Sequence, residues 1–355
     1  MSAHDNTSGN EGVDTIWFTR CPVPTATGLA YKLGWLDEEF KPDGISIKTL
    51  QEVGGELARH HYDHELPTLI REGGNLLAIP AKAQGAPSRL VGLTWIDEAQ
   101  AILVRPDSPI RKPEDLKGKR LALPVFRAED LANNRRGRSI ARGMSLAGYK
   151  GVLASAGLTL DDVRLVEVSS ERPGSNRENL GSLWGGLEPL IQGDVDAIYV
   201  KGASSVDAAR QNGAVVGIDL DKLPDRRFRV NNGTPRPITA HEDLIENHFD
   251  LLVRFLYQTL RAAEWAKTNL AGVHEILQGE ARASSAGVAA AYRDGFHLSL
   301  APDLSPERVE LFRQQKNFQL THGFLDRDFD YDAWIDRRPL EEARRRLEGS
   351  LQAAA

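Results

Sequence analysis

Up to residue 220 the chain is punctuated by short runs rich in β-branched and aromatic residues. They are TIWFT (15–19), ISIKTL (45–50), RLVGLTWI (89–96), AILVRP (101–106), RLALPV (120–125), VRLVEV (163–168), AIYV (197–200) and AVVGIDL (214–220). Stretches of helical periodicity separate them, and this alternation predicts an α/β fold with largely parallel sheets. The strand signal stops near residue 220. The remainder reads as helices, beginning with HEDLIENHFDLLVRFLYQTLRAAEWAK (241–267), where Leu251, Leu252, Phe255, Leu256 and Leu260 recur at helical spacing and are expected to form a buried stripe.

At 355 residues the chain is near the size at which one core stops growing, so two lobes are expected. Residues 1–13 are polar and rich in Gly, Ser, Asn and Asp, and are expected to be a disordered lead-in. The net charge of −6 argues against nucleic acid or an anionic membrane as the main partner and favours a small molecule. No window approaches the roughly 18 consecutive apolar residues of a membrane-spanning helix. The start MSAHDNTSGNEGVD lacks the basic and apolar regions of a secretory signal, which leads to an expected cytoplasmic location. No phosphate loop or GxGxxG fingerprint supports a nucleotide cofactor. The basic segment RRGRSIARG (135–143) has no interleaved aromatics and reads as a solvated helix face, and DRRPLEEARRRLEGSLQ (336–352) as an exposed helix.

Three segments hold the candidate chemistry. In TIWFTRCPVPTATGLAYKLG (15–34), a strand delivers Cys21, the only cysteine, towards a helix that Thr25 or Thr27 can cap. Ligands bind outside the carboxyl ends of strands in such sheets, and a helix N-terminus together with Arg20 would favour the thiolate. A buried, inert cysteine is the alternative. The segment RHHYDHE (59–65) offers His60, His61 and His64. One of these could assist a thiol, His60 and His64 with Asp63 or Glu65 could hold a metal, or all could be surface or supporting histidines. In IREGGN (70–75), Arg71 supplies a bidentate donor fork, and Gly73-Gly74 at a helix start lets backbone N–H groups approach an anion. An ordinary Gly-Gly turn beside a surface arginine is the alternative there.

Together the segments resemble the aromatic sulfinate desulfinases of dibenzothiophene desulfurisation. The resemblance rests on Cys21-Pro22-Val23-Pro24, His61 ten residues before Arg71, Pro67 four residues before it, and Gly73 and Gly74 just after it. Looser echoes run from about residue 15 to 335, among them LVRPDSPIRKPEDLKGKRLAL (103–123), GLTLDDVRLVEVSS (157–170) and KNFQLTHGFL (316–325). WIDEAQ (95–100) and SSERPGSNRENLGSLWGG (169–186) depart from the family, which leaves the hydrocarbon part of the substrate open.

The resemblance implies a type II periplasmic-binding-protein-like fold, two α/β lobes around a ligand cleft. Lobe 1 is expected from residues 14–104 plus 221–355 and lobe 2 from 105–220. It also implies a cofactor-independent, metal-free hydrolase of carbon–sulfur bonds that releases sulfite from an aryl sulfinate and works as a monomer. Cys21, His61 and Arg71 would be catalytic, and Arg71, Gly73 and Gly74 would bind the substrate. The competing reading is a non-catalytic solute-binding protein for sulfonates or related small anions, and a third is another cysteine-dependent enzyme on this scaffold. Closure of the lobes over the ligand is expected, with 169–179 as the moving loop.

Overall fold

The computed structural model describes residues 12–20, 23–53, 55–169, 186–202, 212–281, 284–292 and 294–354. The lead-in at 1–13 falls almost wholly outside these residues, as do Cys21 and nearly all of the expected moving loop. The strands are β1 (Thr15–Thr19), β2 (Ser46–Thr49), β3 (Leu69–Glu72), β4 (Ser88–Thr94), β5 (Gln100–Val104), β6 (Arg120–Pro124), β7 (Arg164–Val168), β8 (Ile198–Lys201), β9 (Val215–Asp219) and β10 (Arg236–His241). All but β3 and β10 coincide with the apolar runs. The helices that matter for the site are α1 (Ala26–Lys32), α2 (Asn75–Ala83), α3 (Ile140–Ser155), α4 (Phe249–Thr268), α5 (Pro306–Thr321) and α6 (Arg338–Ala354).

The first sheet has the order β2-β1-β3-β10-β4. β1 runs parallel to β2 and β3, whereas β10 is antiparallel to both of its neighbours. The second lobe holds the antiparallel sheet β8-β5-β9 and the parallel pair β6-β7. The sheets are therefore mixed, not largely parallel. The physical reason is the double crossing: the chain leaves the first sheet after β4, builds the second lobe, and returns to insert β10 between β3 and β4. Because β5 pairs with β8 and β9, it belongs with the second lobe, although the expected boundary at 105 left it in the first.

β10 also corrects the expectation that strands end near residue 220. Its sequence RPITAH contains Pro237, which has no N–H to donate, and the ladder accommodates it next to a register shift at Ile238/Thr239. His241 ends this strand and caps the short helix Glu242–Asn247, its Nδ1 accepting from the Asp243 N–H at 3.1 Å. The expected helix over 241–267 is thus split, and α4 starts only at Phe249. Its stripe Leu251, Leu252, Phe255, Leu256 and Leu260 is buried against the first sheet and α1, in one apolar cluster with Phe18, Leu29 and Ile70. α6 follows the reading of an exposed helix on one side only, since Leu340, Ala343 and Leu347 are buried.

A second cluster fills the other lobe around Ile102, Leu121, Tyr149 and Ile198, and a smaller one joins the lobes through Leu76, Leu123, Leu146 and Phe318. The contact is close. A Cβ on Gly143 would lie 2.7 Å from Leu76 Cδ2, and one on Gly137 would lie 2.5 Å from Pro80 Cγ. The basic segment 135–143 is therefore more than a solvated helix face, because its glycines let the second lobe pack on α2. Among the described residues no helix is long and apolar enough to cross a membrane.

Candidate functional site

The site grows from the carboxyl ends of β1 and β3, which are paired so that Thr19 lies opposite Arg71. Arg71 is only 1% exposed, and its Nε donates to the His61 carbonyl at 3.4 Å. The guanidinium folds back over the next turn. A Cβ on Gly73 would stand 2.8 Å from each of Cζ, Nη1 and Nη2 of Arg71, a separation that real side chains do not tolerate. Gly73 is thus a glycine for the sake of the arginine. Gly74 has φ −60° and is a glycine for the same kind of reason, since a Cβ there would meet the Asn232 carboxamide at 2.4 Å.

That carboxamide changes the expected anion cradle. Asn232 accepts from the Leu76 N–H through Oδ1 at 2.8 Å and from the Asn75 N–H through its carbonyl at 2.7 Å, while the Gly73 N–H donates to Pro237 O at 3.3 Å. The start of α2 is therefore capped by the return segment that leads into β10. Of the two glycine N–H groups, that of Gly74 has no acceptor among the described residues, so it alone is left to meet a ligand anion.

The three histidines divide. His60 is largely buried and is taken up by Asp63, its Nδ1 2.7 Å from Asp63 Oδ1. His61 lines the cleft, with Nδ1 2.9 Å from Thr19 Oγ1, and burial followed by the Arg71 charge pushes its pKa down to about 3. His64 takes the left-handed conformation (φ 60°) that ends the short helix His60–Asp63, and is 2% exposed. Burial first, then the charges of Arg71 and His61, hold its pKa well below the ordinary histidine range, against the opposing effect of a hydrogen bond to the His61 backbone. No group of three or more metal-ligating side chains occurs among the described residues, so the metal set at His60 and His64 is not assembled.

These pKa values carry a prediction for stability. Both rings are neutral in the fold and regain a pKa of about 6.5 on unfolding. The unfolded chain therefore binds more protons as pH falls from 6.5 towards the folded value of about 3 for His61, and stability is lost across that window. Each histidine steepens the fall by up to about 1.4 kcal/mol per pH unit. Urea midpoints measured across this range should drop steeply, and His61→Asn should flatten the profile by about one proton.

Beside His61 opens a cleft of about 600 Å³ whose walls include Thr19, Leu50, Gln51, Tyr62 and Arg138. Arg138 comes from the second lobe and lies 4.7 Å over the Tyr62 ring, so the two lobes meet at the cleft through a cation on an aromatic face. Sequence reasoning missed Thr19, Gln51, Tyr62 and Arg138. Only Arg138 carried a local signal, the arginine cluster at 135–138.

Cys21 lies outside the described residues. Its flanks are visible: Thr25 caps α1 by accepting from the Gly28 N–H at 3.0 Å, as expected. Arg20 does not serve as a spare cation for the thiol, because Glu280 engages it in two hydrogen bonds of 2.8 and 3.1 Å.

Comparisons with known proteins agree on the scaffold. The family model described as NMT1/THI5 like matches residues 40–269. The 2'-hydroxybiphenyl-2-sulfinate desulfinase of Rhodococcus erythropolis is 26% identical over an alignment that covers 90% of this chain and 91% of that protein. Among solved structures, the desulfurization enzyme DSZB superposes with a TM-score of 0.73 at 24% identity, covering 94% of this chain and 99% of its own. A variant of it in complex with biphenyl-2-sulfinic acid gives the same TM-score, 0.73, at 23% identity and the same coverage, 94% and 99%. The periplasmic aliphatic sulphonate binding protein SsuA from Escherichia coli follows with a TM-score of 0.64 at 16% identity over 91% of this chain and 92% of its own. At these identities the structures speak for the two-lobed fold.

Proposed function

The chain belongs to the NMT1/THI5-like family, and from that premise we propose that it is a desulfinase which cleaves the C–S bond of an aryl sulfinate and releases sulfite. The observation that most supports this reading is the placement of the buried Arg71, opposite Thr19 at the end of β3, against His61, whose carbonyl accepts from the Arg71 Nε and whose ring lines the cleft together with Thr19. The relative named a 2'-hydroxybiphenyl-2-sulfinate desulfinase, alike over nine tenths of the chain, points the same way. The reaction adds water across the bond: the ring carbon gains a proton, sulfur gains hydroxide, and the products are the arene and hydrogen sulfite.

In this scheme the Arg71 guanidinium and the Gly74 N–H hold the sulfinate oxygens and stabilise charge as it develops. His61, neutral in its buried setting, contributes a hydrogen bond from the cleft wall. Cys21 does the chemistry by one of two routes. In one its thiolate attacks sulfur, the C–S bond breaks, the departing ring carbon takes a proton, and water cleaves the new S–S bond to give hydrogen sulfite and the free thiol. In the other the thiol protonates the ring carbon as the C–S bond breaks, and water adds to the released sulfur dioxide to give hydrogen sulfite and return the proton to the thiolate. The substrate carries its own leaving group, so the chemistry calls for no metal or organic cofactor.

The second reading, a receptor that binds sulfonates without turnover, draws on the likeness in fold to the sulphonate binding protein. One assay separates the two. Sulfite release is measured on a panel of aryl and alkyl sulfinates, with calorimetric titration of the matching sulfonates alongside. Turnover of aryl sulfinates is the expected result. Tight sulfonate binding with no sulfite from any member of the panel would favour the receptor.

A further inference from the structure

Thr19 Oγ1 has two polar neighbours: the Gln51 side-chain nitrogen at 2.7 Å and His61 Nδ1 at 2.9 Å. The same Gln51 nitrogen lies 2.5 Å from the Arg20 backbone carbonyl. A carbonyl oxygen can only accept, so the amide atom facing Arg20 must be the NH₂ group, which fixes the orientation of the whole carboxamide. That NH₂ group also donates to Thr19 Oγ1. The threonine hydroxyl therefore accepts from Gln51, and among the described residues its own single hydrogen has one acceptor in reach, His61 Nδ1. Were Nδ1 protonated instead, the hydroxyl hydrogen would have no acceptor among the described residues. An imidazole that accepts at Nδ1 carries its hydrogen on Nε2, the ring nitrogen left for the cleft.

We propose that Gln51 is a positioning residue which acts through Thr19 to hold His61 as the Nε2–H tautomer, so that the cleft is offered a hydrogen-bond donor suited to a sulfinate or sulfite oxygen. This builds on the desulfinase reading for its substrate, though the tautomer itself does not depend on turnover. The assignment gives His61 the role of neutral donor, not base. It also explains why a threonine ends β1 here: a side chain that both accepts and donates is needed to pass the direction of the Gln51 bond on to the ring.

The test is nitrogen NMR of protein labelled with ¹⁵N-histidine, read with and without an aryl sulfonate. Wild type should show an N–H-type Nε2 and a bare Nδ1 for His61. In Gln51→Glu the carboxylate can only accept, so the Thr19 hydroxyl turns to donate to it and the His61 hydrogen moves to Nδ1. Thr19→Val should leave a mixture of tautomers, and Thr19→Ser should restore the wild-type signature. With an aryl sulfinate, Gln51→Glu should lower kcat for sulfite release about tenfold, the scale of one lost hydrogen bond, with little change in KM. A wild-type His61 protonated at Nδ1 overturns the proposal, as does a tautomer that Gln51→Glu and Thr19→Val leave unmoved, even if turnover falls. If the tautomer responds as described but wild type releases no sulfite, the positioning role stands and the desulfinase reading fails.

Discussion

Gly73→Ala is expected to weaken sulfinate binding about a hundredfold while the protein stays folded. Gly73 does not have a positive φ, so alanine meets no backbone strain there. What it meets is the Arg71 guanidinium, with Cζ, Nη1 and Nη2 all 2.8 Å from the new methyl group. Arg71 is 1% exposed on a strand inside the first sheet and cannot swing into solvent, so the methyl group displaces its fork from the position in which the proposed function has it hold the sulfinate. Charge-assisted hydrogen bonds contribute roughly 1.5–3 kcal/mol each, and misdirecting a bidentate pair sacrifices most of one. Overpacking costs a further 1–3 kcal/mol or so of stability. Calorimetric titration of an aryl sulfonate reads the affinity and thermal melts read the fold. Arg71→Lys, which keeps the charge but loses the fork, should reproduce most of the affinity loss. Wild-type affinity in Gly73→Ala would remove Arg71 from the binding site.

The same residues show what the sequence could and could not convey. Eight strands were legible because buried strands in α/β sheets are runs of apolar and β-branched side chains, a signal local to each run. β3 escaped because half of LIRE is charged, and its Arg71 and Glu72 are both 1% exposed. β10 escaped because Pro237 argues against a strand that the fold nevertheless places between two others. Both exceptions lie at or next to the candidate site, where polar groups occupy core positions for reasons other than folding. The Gly73-Gly74 pair was visible, but its purpose was not. It suggested backbone opened to an anion, which the Gly74 N–H still allows, but the structure also shows two side chains, Arg71 and Asn232, pressed onto bare Cα atoms. Asn232 reaches that position only because the chain returns from the second lobe, and Thr19 faces Arg71 only through strand register. No short motif encodes either relation, and the Gln51–Thr19–His61 chain is likewise a product of pairing between distant segments.

Cys21→Ser should lower sulfite release by at least about a thousandfold and leave sulfinate affinity within a few-fold of wild type. The hydroxyl matches the thiol in shape but neither ionises near neutral pH nor attacks sulfur comparably, so binding and turnover separate in this one variant. Full turnover in Cys21→Ser would exclude the thiol from the chemistry. The pH dependence of wild-type kcat/KM then distinguishes the two routes. If the thiolate attacks sulfur, the rate climbs as pH rises through the thiol pKa. If the thiol donates a proton to the ring carbon, the rate falls across the same interval. His61 is silent in that interval, because with its pKa pushed down to about 3 it is neutral on both sides of the transition, and Tyr62→Phe removes the phenol that shares the cleft wall. A limb near pH 6.5 that disappears in His61→Asn would contradict that assignment, whereas a single limb that survives both His61→Asn and Tyr62→Phe belongs to Cys21, and its direction names the step.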